Sequence, residues 1–213
     1  METTFNAYQP VSLGTTLVAV VFNGGIVFGA DSRTSSGSLI VNRTKSKIRQ
    51  LSDRIYVASA GNASHSETIR DYVQQSLRMY SAETQGEPRV LAAATIYRNM
   101  IYQNKSFLGS SIICGGYDEV DGFSIYRVVQ SGALKKCEYA LGGSGSSYIY
   151  GYWDAHYKAN MTEQQAKEFV INAVSLAIKR DGSSGGCVHT VVITKDNVQD
   201  EWIPGDQVAI PQH

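Results

Sequence analysis

The sequence is poor in the features that would place it in several large classes. Its three cysteines, Cys114, Cys137 and Cys187, are odd in number and form no CxxC pair. A disulfide framework is therefore excluded as the organising device, and a reducing compartment is the simpler setting. The longest clean apolar run, Leu17 to Phe22, is far too short to cross a membrane. There is no basic excess: 19 Lys and Arg balance 19 Asp and Glu, so a nucleic-acid footprint lacks its charge and no nucleic-acid partner is expected. The four histidines (His65, His156, His189, His213) stand at no metal-ligand spacing with another His or Cys. No metal or organic cofactor is expected, and each histidine reads as structural or surface. Met1–Gly14 has neither a positive charge nor an apolar stretch, so it is no secretory signal. Linker-like tracts and internal repeats are also missing, which points to one domain.

What remains is a globular chain of 213 residues, 43% hydrophobic and 18% charged. Thr15–Phe22 and Ile26–Ala30 flank Asn23-Gly24-Gly25, a hairpin signal. Further strands are expected at Ser38–Val41, Arg54–Ala60, Ser110–Cys114, Phe123–Val129, Cys137–Leu141, Val188–Thr194 and Val198–Ile203. Helical spacing runs from Ser64 to Glu83, with Ile69, Tyr72, Val73, Leu77 and Tyr80 on one face. Pro88 opens a second helix, and a third covers about Ser146 to Lys158. A fourth follows Thr162-Glu-Gln-Gln165, a capping-box pattern, and ends at Asp181-Gly182. Runs of strands and runs of helices, rather than strict alternation, imply an α+β fold. Two antiparallel sheets between two helix pairs, a four-layer αββα sandwich, would bury every apolar helix face.

The chemistry begins at Gly14-Thr15-Thr16, between a polar leader and an apolar strand. The bland reading is a loop entering a strand. The functional one is that residues 1–14 are a propeptide whose removal makes Thr15 a new N-terminus at the head of a single domain, 15–213. A threonine hydroxyl attacks poorly unaided, but an adjacent amine can take its proton. A free α-amine titrates near ~7.7–8.0, close to working pH. Glycine at position 14 suits the conformation that self-cleavage needs.

Thr15-Thr16, Gly29-Ala-Asp31-Ser-Arg-Thr34, Lys47, Gly61, Gly143-Ser-Gly-Ser146 and Asp181-Gly-Ser-Ser184-Gly-Gly186 occur in that order. This ordered set resembles the β subunits of the proteasome from Thr15 to about Asp206. Gly142–Tyr152 and Asp181–Gly186 most resemble the eukaryotic β1 type of the 20S particle. The resemblance implies the N-terminal-nucleophile hydrolase fold and a threonine endopeptidase acting in ATP- and ubiquitin-dependent degradation. It assigns Thr15 as nucleophile and terminal base, and Asp31 as the buried carboxylate partner of Lys47. Ser144, Asp181 and Ser184 become the polar shell around the amine, and Gly61 the backbone donor to an oxyanion. Thr34 and Ser35 pair with the extended substrate, and Lys45, Ser59 and Ala63 belong to the wall that meets its side chain. Partners would be other β and α subunits in stacked seven-membered rings, and unfolded polypeptide substrates, in cytoplasm and nucleus.

The chain departs from the β1 type where that type carries a basic residue, here Ser59. Lys45 is expected to supply the positive charge from the opposite wall and so favour cleavage after acidic residues, with Glu67 able to offset it. Three alternatives stay open: a non-catalytic ring subunit, an unprocessed precursor in an assembly intermediate, and a small-molecule amidase on the same fold. Intact Thr15, Asp31 and Lys47 favour a peptidase. The Gly/Ser loops lack the GxxxxGK[ST] spacing of a phosphate cradle.

Overall fold

The computed structural model describes residues 14–36, 39–106 and 108–207. Residues 1–13 of the expected propeptide, and Ser38 of the expected short strand, lie outside them. The strands are β1 (Leu17–Phe22), β2 (Gly25–Asp31), β3 (Thr34–Ser36), β4 (Leu39–Asn42), β5 (Ile48–Ser52) and β6 (Ile55–Gly61). After helices α1 (Ala63–Thr84) and α2 (Val90–Gln103) come β7 (Ser110–Asp118), β8 (Gly122–Val128), β9 (Leu134–Cys137) and β10 (Tyr139–Gly142). Helices α3 (Tyr150–His156) and α4 (Glu163–Arg180) then precede β11 (Val188–Thr194) and β12 (Val198–Ile203).

Two five-stranded sheets carry the fold, ordered β10-β1-β2-β11-β12 and β5-β6-β7-β8-β9, and β3-β4 form a separate hairpin. Every pairing within the two large sheets is antiparallel. The period of two in β1 explains the layers. Leu17 and Ala19 face the second sheet, packing with Phe28, Ile48, Ala58, Ile113 and Ile125. Val18, Val20 and Phe22 face the other way, onto Trp153, Phe169 and Val170 of α3 and α4. A strand buried on both faces must be apolar throughout, as this one is. Helices α1 and α2 cover the second sheet through Ile69, Val73, Leu77, Tyr97 and Ile101. The result is the αββα sandwich.

Local chemistry sets the boundaries. Asn62 caps α1 by accepting from the amides of Ser64 at 3.0 Å and His65 at 3.2 Å. The Thr162–Gln165 capping box forms in both directions. Pro88, expected to open α2, instead stands two residues ahead of it. The first amide of α2, Val90, is capped from across the fold by the buried carboxylate of Asp118 at 2.9 Å. Tyr72 and Tyr80, expected on the apolar face of α1, are exposed.

Two further expectations need correction, and two strands were not expected. Cys137–Leu141 is not one strand. The chain changes sheet at Glu138, leaving β9 paired with β8 and delivering β10 to β1. Strand propensity is identical on either side of such a crossing, so only the shift from Lys135-Lys136 to Ala140-Leu141 hints at it. The third helix is a 3-10 turn, Ser144–Tyr148, followed by the shorter α3. Its serines compete for backbone groups: the Ser146 hydroxyl bonds the Gly143 carbonyl at 2.7 Å, and the Gly145 amide is taken by the Thr15 carbonyl. Finally, β3 and β5 were not expected, because both are short: β3 is polar at every position, and β5 has only Ile48 and Leu51 as apolar residues.

Candidate active site

The register of β1 against β2 places Leu17 opposite Ala30, so Thr15 and Thr16 lie beside Asp31 where both strands end. Lys47 reaches the same point from the second sheet, one residue before β5. Asp31 is fully buried. Its carboxylate accepts from Lys47 Nζ at 2.7 Å, from the Thr16 amide at 2.8 Å, from the Gly185 amide at 3.0 Å and from the Arg33 amide at 3.3 Å. A buried charge with this many donors is compensated.

Lys47 is 9% exposed and has three acceptors for its three N–H bonds. Besides Asp31 they are Thr15 Oγ1 at 3.1 Å and the Gly14 carbonyl at 3.1 Å. Burial pushes its pKa below the ordinary lysine value, against the pull of the Asp31 charge and hydrogen bond. The Thr15 hydroxyl in turn donates to the Gly14 carbonyl at 2.7 Å.

A second carboxylate organises the other side of Thr15. The Thr15 amide donates to Ser144 Oγ at 3.1 Å, and Ser144 and Ser184 each donate to Asp181 Oδ2 at 2.7 Å. Because Ser184 spends its proton on Asp181, the 2.8 Å contact with Thr16 is Thr16 donating to Ser184. Burial raises the Asp181 carboxyl, but hydrogen bonds from Ser184, Ser144 and the Ser183 amide, with the Lys47 charge, bring it below its usual value. Asp31, Lys47, Thr15, Ser144, Asp181, Ser184 and Thr16 thus close a ring of hydrogen bonds. Thr16 is the member that sequence reasoning missed. Its place beside a candidate nucleophile was the available signal.

The remaining candidate residues line a cleft of about 630 Å³, counting its open mouth. Three regular stripes form it. Lys45, Lys47 and Arg49 alternate along the segment entering β5, and Val57, Ser59 and Gly61 alternate along β6. Ala63, Ser66, Glu67 and Arg70 follow helical spacing on α1. Thr34 and Ser35 close the side, and Tyr97 of α2 also lines the cleft. Gly61 has φ +122°, a conformation side chains resist, and a Cβ there would stand 2.0 Å from the Gly109 carbonyl oxygen. Gly14 is required for space: a Cβ would meet Ser183 at 2.1 Å.

Lys45 forms an ion pair with Glu67, so the expected selector is already neutralised. Arg49 and Arg70, both cleft-lining, were missed by sequence reasoning. The i, i+2 series through Lys45 and Lys47, and the i+3 series through Glu67, were the signals that would have found them. His189 forms a further polar link, to Asp200 at 2.8 Å and to Ser46 at 3.3 Å, and stacks on Trp202. This matches the structural role expected of it.

Comparison with known proteins gives a consistent result. The family model described as Proteasome subunit matches residues 11–193. Proteasome subunit beta type-6 of Arabidopsis thaliana is 42% identical over 96% of this chain and 88% of its own length. A Schizosaccharomyces pombe protein named "Probable proteasome subunit beta type-1" is 41% identical over 92% and 87%. Proteasome subunit beta type-9 of Rattus norvegicus is 42% identical over 93% and 90%.

Proposed function

We propose, from the premise that this chain belongs to the proteasome family as a β subunit, that it is a catalytic threonine endopeptidase of the β1 type. The observation that carries this reading is the position of Lys47 Nζ, 3.1 Å from Thr15 Oγ1 and 2.7 Å from Asp31. A purely structural ion pair has no need of a hydroxyl within its reach.

The first reaction is on the chain itself. With the Gly14–Thr15 peptide intact, the Thr15 nitrogen is an amide and cannot act as a base. Thr15 Oγ1 adds to the Gly14 carbonyl carbon while Lys47, hydrogen-bonded to that carbonyl oxygen, stabilises the developing negative charge. The C–N bond breaks, the hydroxyl proton ends on the Thr15 nitrogen, and water hydrolyses the ester. The products are a Gly14 carboxylate and a free Thr15 amine. Residues 1–14 are thereby removed and the remaining domain is active.

Substrate cleavage repeats the chemistry with the amine as base. The amine, held through Ser144 and Asp181, takes the Thr15 hydroxyl proton and the oxygen attacks the substrate carbonyl. The Gly61 amide and Lys47 meet the oxyanion, the amine product leaves with the proton, and water cleaves the acyl-threonine ester. Thr34 and Ser35 on β3 offer backbone to an extended substrate. The relatives' names place those proteins in proteasomes. For this chain we infer assembly with other β and α subunits in stacked seven-membered rings, acting on unfolded polypeptides in cytoplasm and nucleus. The names differ in type number, and the type-1 name at 41% identity supports the β1 assignment.

A peptide bearing a boronate at its C-terminus tests the chemistry. It should attach to the N-terminal Thr15 of the assembled wild-type subunit and not to Thr15→Ala. Attachment that survives Thr15→Ala contradicts the assignment.

A further inference from the structure

Among the described residues, the cleft contains more positive charge than its one carboxylate, Glu67, can neutralise. Leaving aside Lys47, which is committed to Asp31, the wall formed by β5 and α1 presents Lys45, Arg49 and Arg70 against Glu67 alone. Glu67 is paired with Lys45. That hydrogen bond is the largest cause holding its carboxyl below the usual range, and Arg70 and Arg49 add to it through their charge. Arg70 has its own partner in Asp71, whose Oδ1 accepts from Nε at 3.0 Å and from Nη2 at 2.6 Å. Asp71 is not part of the cleft wall. Among the described residues, Arg49 has neither an ion pair nor a side-chain hydrogen bond.

Arg49 is also in the right place. It lies opposite Val57 in the β5–β6 register, two residues, or about 7 Å along the strand, beyond Lys47. The cleft it lines leaves room: Ser59 and Ala63 are small and carry no charge, and Tyr97 is almost fully buried. Arg49 itself is half-buried, so an incoming carboxylate would meet it with reduced solvent screening. A guanidinium presents a planar fork that matches a carboxylate with two parallel hydrogen bonds.

We propose that Arg49 is the specificity-determining residue of this cleft, binding a carboxylate-bearing substrate side chain at the residue whose carbonyl Thr15 attacks. Lys45 serves instead to hold Glu67. This rests on the proposed peptidase reading and refines it: the positive wall that the sequence places at Lys45 lies four residues further on, at Arg49. Loss of one residue's charge at position 59 is met by a charge on the facing strand.

The test measures kcat/KM for peptides differing only in Asp, Glu, Leu or Lys at the cleavage position, on particles assembled with each variant. Wild type should favour Glu or Asp over Leu. Arg49→Ala should lower the Glu-to-Leu ratio by about tenfold or more, the factor expected for one charge-assisted contact. Arg49→Gln, close in length, gives the same reading if the alanine variant does not assemble. Arg49→Glu should turn preference towards Lys. The double variant Lys45→Ala/Glu67→Ala removes a neutral pair and should move the ratio by less than about threefold. The inference is overturned if Arg49→Ala and Arg49→Gln keep the wild-type ratio, or if the double variant collapses it equally. Absence of hydrolysis of every peptide by wild type would instead sink the peptidase reading itself.

Discussion

The two ends of the cleft are built on different principles. At the chemical end, Asp31 is fully buried and Lys47 is 9% exposed, and every N–H of the ammonium has an acceptor. At the recognition end, Lys45 and Glu67 are 31% and 42% exposed and make one ion pair with each other. A buried ring of polar groups tolerates no missing member, because an abandoned charge cannot turn to water. Half-exposed side chains can be exchanged at low cost, since solvent takes over their partners. The chemical end is thus fixed, and the recognition end is free to vary.

Breaking the chemical end should produce the largest effects. Lys47→Ala removes the group that touches both Thr15 Oγ1 and the Gly14 carbonyl. Peptide turnover should fall by at least ~10³-fold, measured with the best peptide substrate. Lys47→Arg should not restore it, because a planar fork cannot place three N–H bonds on these three acceptors. Asp31→Asn leaves the ammonium without its counter-charge. About 3–5 kcal/mol of stability should be lost, visible as a lower thermal midpoint of the isolated subunit, alongside a fall in turnover. A midpoint equal to wild type would show that the pair is not a structural necessity.

A steric change at the same end should act on maturation. Gly14→Val adds a Cβ that would stand 2.1 Å from Ser183. The Gly14 carbonyl must then leave its place beside Thr15 Oγ1 and Lys47, and release of residues 1–14 should slow by about tenfold or more in a time course resolved by mass. Unchanged release would mean that this close approach is not part of the cleaving conformation.

Acid should distinguish the two ends more subtly. Asp181 and Glu67 both have carboxyls held below their usual values. A carboxyl depressed in the folded state contributes stability above its unfolded pKa. That contribution is lost as pH falls through the unfolded value and on through the folded one. Asp181→Asn should therefore flatten the decline in unfolding free energy below about pH 4. Glu67→Gln should flatten it less, because its ion pair is more exposed and more screened. Equal flattening would erase the difference between the two ends.

The same contrast explains what was legible in the sequence. Thr15, Asp31, Lys47, Ser144, Asp181 and Ser184 lie together; it was the resemblance to proteasome β subunits that grouped them, and no local pattern would have done so. The layers were legible too, since runs of strands and runs of helices with apolar faces call for two sheets between helix pairs. Other features depend on long-range partners. The sheet change at Glu138 is decided by which strand is waiting on each side. The cap on Val90 comes from Asp118, twenty-eight residues away. The sequence offered Glu67 as able to offset Lys45, but that the pair forms, and that Arg49 has no ion-pair partner among the described residues, follows from how α1 lies over β5. Pattern in the chain shows that Arg49 shares a face with Lys47, but only the packed helix shows which cations already have partners.

The central claim is that Lys47 and Asp31 drive Thr15 to free its own amine. Its most direct test is the intact mass of the chain isolated from assembled particles, for wild type, Thr15→Ala and Lys47→Ala, with neighbouring subunits' peptidase activity blocked. Wild type should have the mass of a chain beginning at Thr15, and both variants should retain the residues before it. A wild-type chain that keeps Gly14, or a Lys47→Ala chain cut after Gly14 as completely as wild type, would contradict the account.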